Sequence, residues 1–198
     1  MKLFLNTTSP YARLVQILLL ETGLDAQTKL VMVDPWNAAA ELLEANPAAK
    51  IPALSLDDGT HLVESACIAD YLIARSGMAS LWPLSYPDAS RRLGILGLAR
   101  AAMDCAFGVV IQERFGAASV LGERWLASLP RIAARLEALL GQTSGAEQID
   151  LADLTLAVAF SYIDFRLPAI AWRAGSPLLA ARLDRLDQRA SLIATRPA

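Results

Sequence analysis

Within the first 65 residues a hydroxyl, an X-Pro peptide and an acid–hydroxyl pair follow in order: Ser9-Pro10, Ile51-Pro52 and Glu64-Ser65. Ser9-Pro10 is the chemistry of a helix start, with an oxygen at the N-cap and a residue lacking an N–H at the first helical position. Taken alone the pair is a cap. A capping hydroxyl accepts from a backbone N–H, however, and its own proton stays free for a thiolate delivered there. Lowering a thiol pKa from about 8.5 to about 7 takes roughly 2 kcal/mol. A helix terminus contributes about 0.3–1 kcal/mol and a hydrogen bond to a charged group about 1.5–3 kcal/mol. Terminus and Ser9 together suffice where the terminus alone does not. Thr7, Thr8 and Asn6 are substitutes for the same role, set further from the helix start.

The other two pairs suit the rest of an extended peptide. Ile51-Pro52 precedes a strand, where a cis peptide can present the Ile51 backbone to a peptide in antiparallel fashion, and Lys50 can meet a carboxylate. Glu64-Ser65 opens a helix, so Ser65 and the free N–H groups can receive a carboxylate while Glu64 pairs with an ammonium. A γ-glutamyl terminus carries both groups on one carbon. Each pair also has a plain reading, a strand-initial proline and an N-cap with an acid at the positive helix end. Asp104 pairs most simply with Arg100 along one helix face, and is also placed to reach a site across a dimer cleft.

The elements that must position these residues follow from periodicity. Lys2 to Leu5 is a strand, Pro10 to Thr22 a helix ended at Gly23, and 27–33 a second strand. A short helix over 37–45, a hairpin of 53–56 with 60–63 around Asp57-Asp58-Gly59, and a helix over 65–76 complete a βαβαββα order. That order predicts an α/β thioredoxin-like domain over 1–76. An extended linker over 77–87, rich in Pro and Trp, leads to an all-α domain over 88–198. Its predicted helices span 88–114, 125–140, 151–165 and 178–188, the third apolar all round and so central. Asp150-Leu151-Ala152-Asp153 reads as a capping box, and Gly94 and Gly97 as places where a neighbour comes close.

Composition narrows the class. The chain has 198 residues, 18 basic against 20 acidic, and no basic footprint for nucleic acid. Apolar runs such as Ile17 to Leu20 fall short of a membrane span, and the first residues do not form an export signal, so a cytoplasmic protein is expected. Cys67 and Cys105 fall in apolar helical patterns and are expected to be buried and inert. His61 lies on a strand without a second histidine, so no metal is expected.

Ser-Pro-Tyr-x-Arg from Ser9 to Arg13, Asn46-Pro47 leading to Lys50-Ile51-Pro52, Glu64-Ser65 and the later Asp150-Leu151-Ala152-Asp153 resemble the glutathione S-transferase superfamily over essentially the whole chain. The pattern is most similar to small bacterial members related to the tau, omega and nu-like groups. The resemblance implies Ser9 as the catalytic residue and reduced glutathione as co-substrate, with no other cofactor. It also implies that Ile51 pairs with the cysteinyl backbone before Pro52 and that Glu64 and Ser65 hold the γ-glutamyl end. The second domain is then expected to line a pocket for a small hydrophobic electrophile, with Tyr11, Met103, Phe107 and Trp172 as its candidates, in a homodimer. Glutathione-dependent peroxide or disulfide reduction is the alternative chemistry, and a non-catalytic regulatory or ligand-carrying protein the alternative class. Ala49 stands where the family often has Gly, at a turn where a left-handed residue would cost about 1–2 kcal/mol. Ser9 and Ala12 take the places of the two sulfurs of a glutaredoxin-type site, which argues against thiol transfer by the chain's own cysteine.

Overall fold

The computed structural model describes residues 1–37, 39–116, 119–142 and 148–197. Two compact units emerge, one of Met1–Ala79 joined by the segment from Ala190 onward, the other Ser80–Arg189.

In the first unit the chain runs β1 (Lys2–Leu5), α1 (Pro10–Thr22), β2 (Lys29–Met32), α2 (Ala40–Ala45), β3 (Ala53–Ser55), β4 (His61–Val63) and α3 (Ser65–Ser76). The strands form one mixed sheet in the order β2-β1-β3-β4, with β2 parallel to β1 and the other pairings antiparallel. Alternation along β1 sends Phe4 to the face where Leu42, Ala45 and Ala53 are buried with it. Leu3 and Leu5 are buried on the other face, which leaves them to α1 and α3. Helix α1 ends at Gly23, whose φ of 67° lets its N–H turn back toward the last carbonyls.

The expected helix over 37–45 is two pieces, a 3-10 turn at Pro35–Asn37 and α2, with Ala38 outside the described residues. Residues 77–87, expected to be extended, carry 3-10 turns at Ala79–Leu81 and Pro83–Ser85, the second opened by its proline. The C-terminal residues differ most from expectation. α8 (Ala190–Ala194) groups with the first unit rather than with the helical one, because its hydrogen-bond partners are on α1.

The second unit is helical, with α4 (Ala89–Arg114), α5 (Val120–Leu140), α6 (Leu151–Arg166) and α7 (Pro177–Leu186). Every residue of α6 from Leu151 to Phe160 is buried, and α4 packs most extensively against it. Asp150 accepts from the N–H groups of Ala152 and Asp153, while Asp153 accepts from that of Asp150. Those two carboxylates also take guanidinium partners, Arg92 at 2.9 Å and Arg182 at 2.6 Å. Burial and the Asp153 charge push Asp150 up, and Arg92 opposes them. Helix α4 is long and apolar enough by composition to cross a membrane, a property the sequence reading missed. Its buried stripe of Ile95, Leu96, Ala99, Ala102, Met103, Ala106 and Val109 is that of a core helix.

Helix α5 begins at Val120, five residues earlier than its periodicity indicated, because Ser119 supplies a cap to Gly122 N–H. The close approach expected at Gly94 and Gly97 lies elsewhere. Gly97 faces open space, and Leu139 is 3.8 Å from where a Cβ of Gly94 would stand. At Gly108 the Trp125 ring is 2.5 Å from that position. Gly108→Ala should gain about 1 kcal/mol of helix propensity and lose about 1–3 kcal/mol to overpacking, a net destabilisation. Urea unfolding should show it, and Gly108→Ala made in a Trp125→Leu background should instead be neutral or stabilising. Equal effects in both backgrounds would mean that the ring can move aside.

Candidate functional site

One row across the sheet gathers the three pairs. Phe4 is opposite Ala53 and Ala53 is opposite Val63. Beyond that row, β1 continues to Asn6, β3 is entered from Pro52, and β4 leaves into Glu64. Because β3 is antiparallel to both neighbours, all three point off the same end of the sheet. Neighbouring strands lie about 4.8 Å apart, so the chain beyond Leu5, the Ile51-Pro52 peptide and Glu64 share one edge about 10 Å wide.

Two of the three arms are braced by a side chain. Asn6 Oδ1 accepts from the Ser9 N–H at 2.8 Å and the Thr8 N–H at 3.1 Å, closing the loop that leads into α1. Ser9, 8 % exposed, accepts the Ala12 N–H through its Oγ and the Arg13 N–H through its carbonyl. The expected cap is therefore present, with the hydroxyl proton unspent on that bond. Asn6, considered above as a substitute hydrogen-bond donor, acts through its oxygen as a loop brace. Thr7 is exposed and Thr8 is half-buried, its hydroxyl directed to Asn6 Oδ1.

On the second arm the Ile51–Pro52 peptide is cis. Buried Asn46 organises the approach to it, donating from Nδ2 to the Lys50 carbonyl at 2.8 Å and accepting the Ala48 N–H at Oδ1. Ala49 has a φ of 52°, so the left-handed turn is kept without glycine. Lys50 is exposed, Ile51 half-buried and Pro52 buried.

On the third arm Glu64 occupies the cap position of α3 with a φ of 65°, and its side chain makes no capping bond. Glu64 is exposed and Ser65 is the first helical residue. The helix thus begins with backbone N–H groups that no capping side chain covers, beside one carboxylate.

The expected electrophile residues do not fare alike. Tyr11 and Phe107 are half-buried. Met103 is 1 % exposed in the core of the second unit. Trp172, 3 % exposed, packs edge-on to Phe160 at 4.8 Å and donates to Asp164 at 2.7 Å. These two are core residues, because an apolar side chain suits a helix interior as well as it suits a pocket. The cysteines are also corrected. Cys67 is exposed and Cys105 half-buried, its thiol pushed up by burial and by the Asp104 charge. His61 is exposed and paired with Ser55 across the hairpin.

Two residues quoted in the sequence motifs were given no role there. Asn46 could have been found from the Asx turn that an Asn-Pro pair favours. Arg13, a cation within the apolar stripe of α1, is 6 % exposed. Its signal was a charge at a core position.

Comparison with known proteins agrees with this architecture. Residues 8–75 match the glutathione S-transferase N-terminal domain model and residues 119–185 the C-terminal domain model. A glutathione transferase family member from Pseudomonas fluorescens Pf-5, solved with bound glutathione, is 36% identical with a TM-score of 0.87, covering 100% of this chain and 98% of that one. A glutathione S-transferase from Methylobacterium radiotolerans in complex with glutathione sulfonate is 29% identical with a TM-score of 0.86, over 99% and 94% of the two chains. An uncharacterized GST-like protein of Escherichia coli K12, YibF, is 29% identical over 201 residues, 100% of this chain and 98% of its own. Asn46→Ala would leave the Lys50 carbonyl and Ala48 N–H without their partner and should cost about 1–3 kcal/mol, measurable by urea unfolding. A cost below about 0.5 kcal/mol would show that the 46–50 turn holds its shape without the side chain.

Proposed function

Because the chain belongs to the glutathione S-transferase superfamily, we propose that it binds reduced glutathione at this sheet end and turns its sulfur, as thiolate, on a small hydrophobic electrophile. The convergence of three arms on one edge, with the Ser9 hydroxyl at the start of α1, is the observation that carries the reading. The family supplies its precedent, since relatives are solved with glutathione or glutathione sulfonate bound.

Roles follow from chemistry. The Ile51 backbone pairs with the cysteinyl residue of the tripeptide in the manner of an added strand. Glu64 takes the γ-glutamyl ammonium, while Ser65 and the open N-terminus of α3 take the adjacent carboxylate. Lys50 meets the far carboxylate. The sulfur then lies at the first turn of α1, where Ser9 donates its proton as a hydrogen bond and the helix terminus adds positive potential. Ionisation releases the thiol proton to solvent, and the sulfur lone pair forms the new bond to the electrophilic carbon, which Tyr11 contacts. That carbon's bond to a leaving group breaks and the pair departs with the group, or, in an addition, a π pair of the acceptor shifts away and takes a proton from solvent. Orientation supplies the rest of the acceleration.

A cytoplasmic homodimer belongs to the same proposal. Unpaired Cys67 and Cys105 suit a reducing compartment. On α4, Leu93 is 39 % exposed, and one turn on, Gly97 has open space where a side chain would stand, a small and apolar surface that a second copy can cover.

Ser9→Ala tests the central role. Losing a hydrogen bond worth about 1.5–3 kcal/mol should raise the thiolate pKa of bound glutathione by about 1–2 units, so the ionised fraction at pH 7 falls. Affinity for glutathione should change by less than about threefold, and stability should fall by about 1 kcal/mol from the lost cap. Ultraviolet thiolate absorbance against pH reads the first quantity. An unchanged titration in the variant would remove Ser9 from the activating role.

A further inference from the structure

The first turn of α1 is tied to the end of the chain. Arg13 is a buried cation on α1, and its backbone N–H makes the helix's first bond, to the carbonyl of Ser9 at 3.0 Å. Its guanidinium points to the C-terminal segment, donating from Nη2 to the Leu192 carbonyl at 3.3 Å and from Nε to Thr195 Oγ1 at 3.4 Å. Thr195, 7 % exposed, donates in turn to the Ser191 carbonyl at 2.8 Å, which fixes its hydroxyl oxygen toward the arginine. At the other end of the helix, Ser191 Oγ donates to Glu21 in a short hydrogen bond. Leu192, 1 % exposed, anchors the segment by burial.

Helix α1 has 13 residues, so it is about 20 Å long. The same short segment grips it at Arg13 and at Glu21, eight residues apart. Two grips on one rod resist both sliding along its axis and rotation about it, which a single contact does not. The sheet side of α1 is apolar and restrains position less sharply, since dispersion contacts are non-directional whereas hydrogen bonds are not.

We infer that the segment from Ala190 onward is a positioning device for the first turn of α1, with Arg13 and Thr195 as its working residues. It touches neither sulfur nor electrophile in this scheme. Its effect is to hold the Ser9 Oγ and the neighbouring N–H groups where a thiolate needs them, a tolerance of well under 1 Å. The inference rests on the thiolate-activating role proposed for Ser9. It adds that this role depends on residues more than 180 positions away in the sequence.

The test uses the full chain. Thr195→Val removes the oxygen that receives Arg13 Nε with little change of shape. The variant should fold, bind glutathione within about threefold of the parent, and raise the thiolate pKa of the bound tripeptide by about half a unit, about a twofold loss of ionised sulfur near neutral pH. The activity deficit should therefore shrink as pH rises past about 7.5, the thiolate pKa expected in the variant. Thr195→Ser keeps the hydroxyl and should restore the parental titration. Should Thr195→Val not accumulate as folded protein, Ser191→Ala, which frees the Glu21 end, takes its place with the same readout. A parental thiolate pKa in the folded valine or alanine variant overturns the inference. If the parent itself leaves the glutathione pKa near its solution value, the reading of Ser9 has failed first. If Ser9→Ala shifts the titration and the Thr195 and Ser191 variants do not, only the positioning role is lost.

Discussion

The residue row Phe4–Ala53–Val63 is the constraint on which the rest of the molecule turns. Side-chain direction alternates with period two along a strand, so a slip of one residue in either pairing would turn Phe4 or Ala53 out of the cluster with Leu42 and Ala45. Burial therefore sets the register, and the register sets which residues leave the sheet together. Asn6, Pro52 and Glu64 share an edge because the apolar residues just inside them must share a core. Hydrophobic packing and the placement of polar chemistry are one decision here.

At that edge the backbone takes conformations that the interior avoids. Ala49 and Glu64 both have positive φ, which costs a non-glycine residue about 1–2 kcal/mol. Asn46 offsets the first by satisfying the Lys50 carbonyl and the Ala48 N–H of the turn. At Glu64 the bond from Ile68 N–H to its carbonyl holds the residue at the mouth of α3 while its carboxylate stays in solvent. Such conformations persist where the surroundings over-determine them, and the two lie on two of the three arms.

The sequence disclosed those parts of the structure that depend on local rules. Ser9-Pro10 marked a helix start, Asp150 to Asp153 a capping box, and alternation with a turn around Gly59 a hairpin, because each is decided within a few residues. Long-range partnerships were hidden. Nothing near Arg13 indicates that its guanidinium meets Thr195, and nothing near Ala190 shows that the last helix joins the first unit. Met103 and Trp172 went astray for a related reason. A large apolar side chain is the same signal whether it lines a cleft or fills a core, and only tertiary packing separates the two. Gly108 was passed over in favour of Gly94 and Gly97 because a close approach depends on the partner helix, here Trp125.

Three helix N-termini illustrate how the identity of a cap can separate structure from chemistry. Each terminus carries roughly half a positive charge and unsatisfied N–H groups. At α6 the cap is Asp150, with Asp153 beside it, so the terminus is met by the chain's own carboxylates, themselves paired with Arg92 and Arg182. Its electrostatic potential is spent on folding. At α1 the cap is the neutral hydroxyl of Ser9, which satisfies the Ala12 N–H and adds no negative charge. The terminus remains attractive to an anion, and its first turn holds no acidic residue to compete. At α3 no side chain caps the helix at all, and Glu64 stands in solvent to one side. An acid in the capping bond would have closed that terminus. An acid held beside it, on a backbone of positive φ, leaves room for a carboxylate on the N–H groups and an ammonium on the acid. The two open termini, α1 and α3, both start from the shared sheet edge, and the closed one belongs to the other unit.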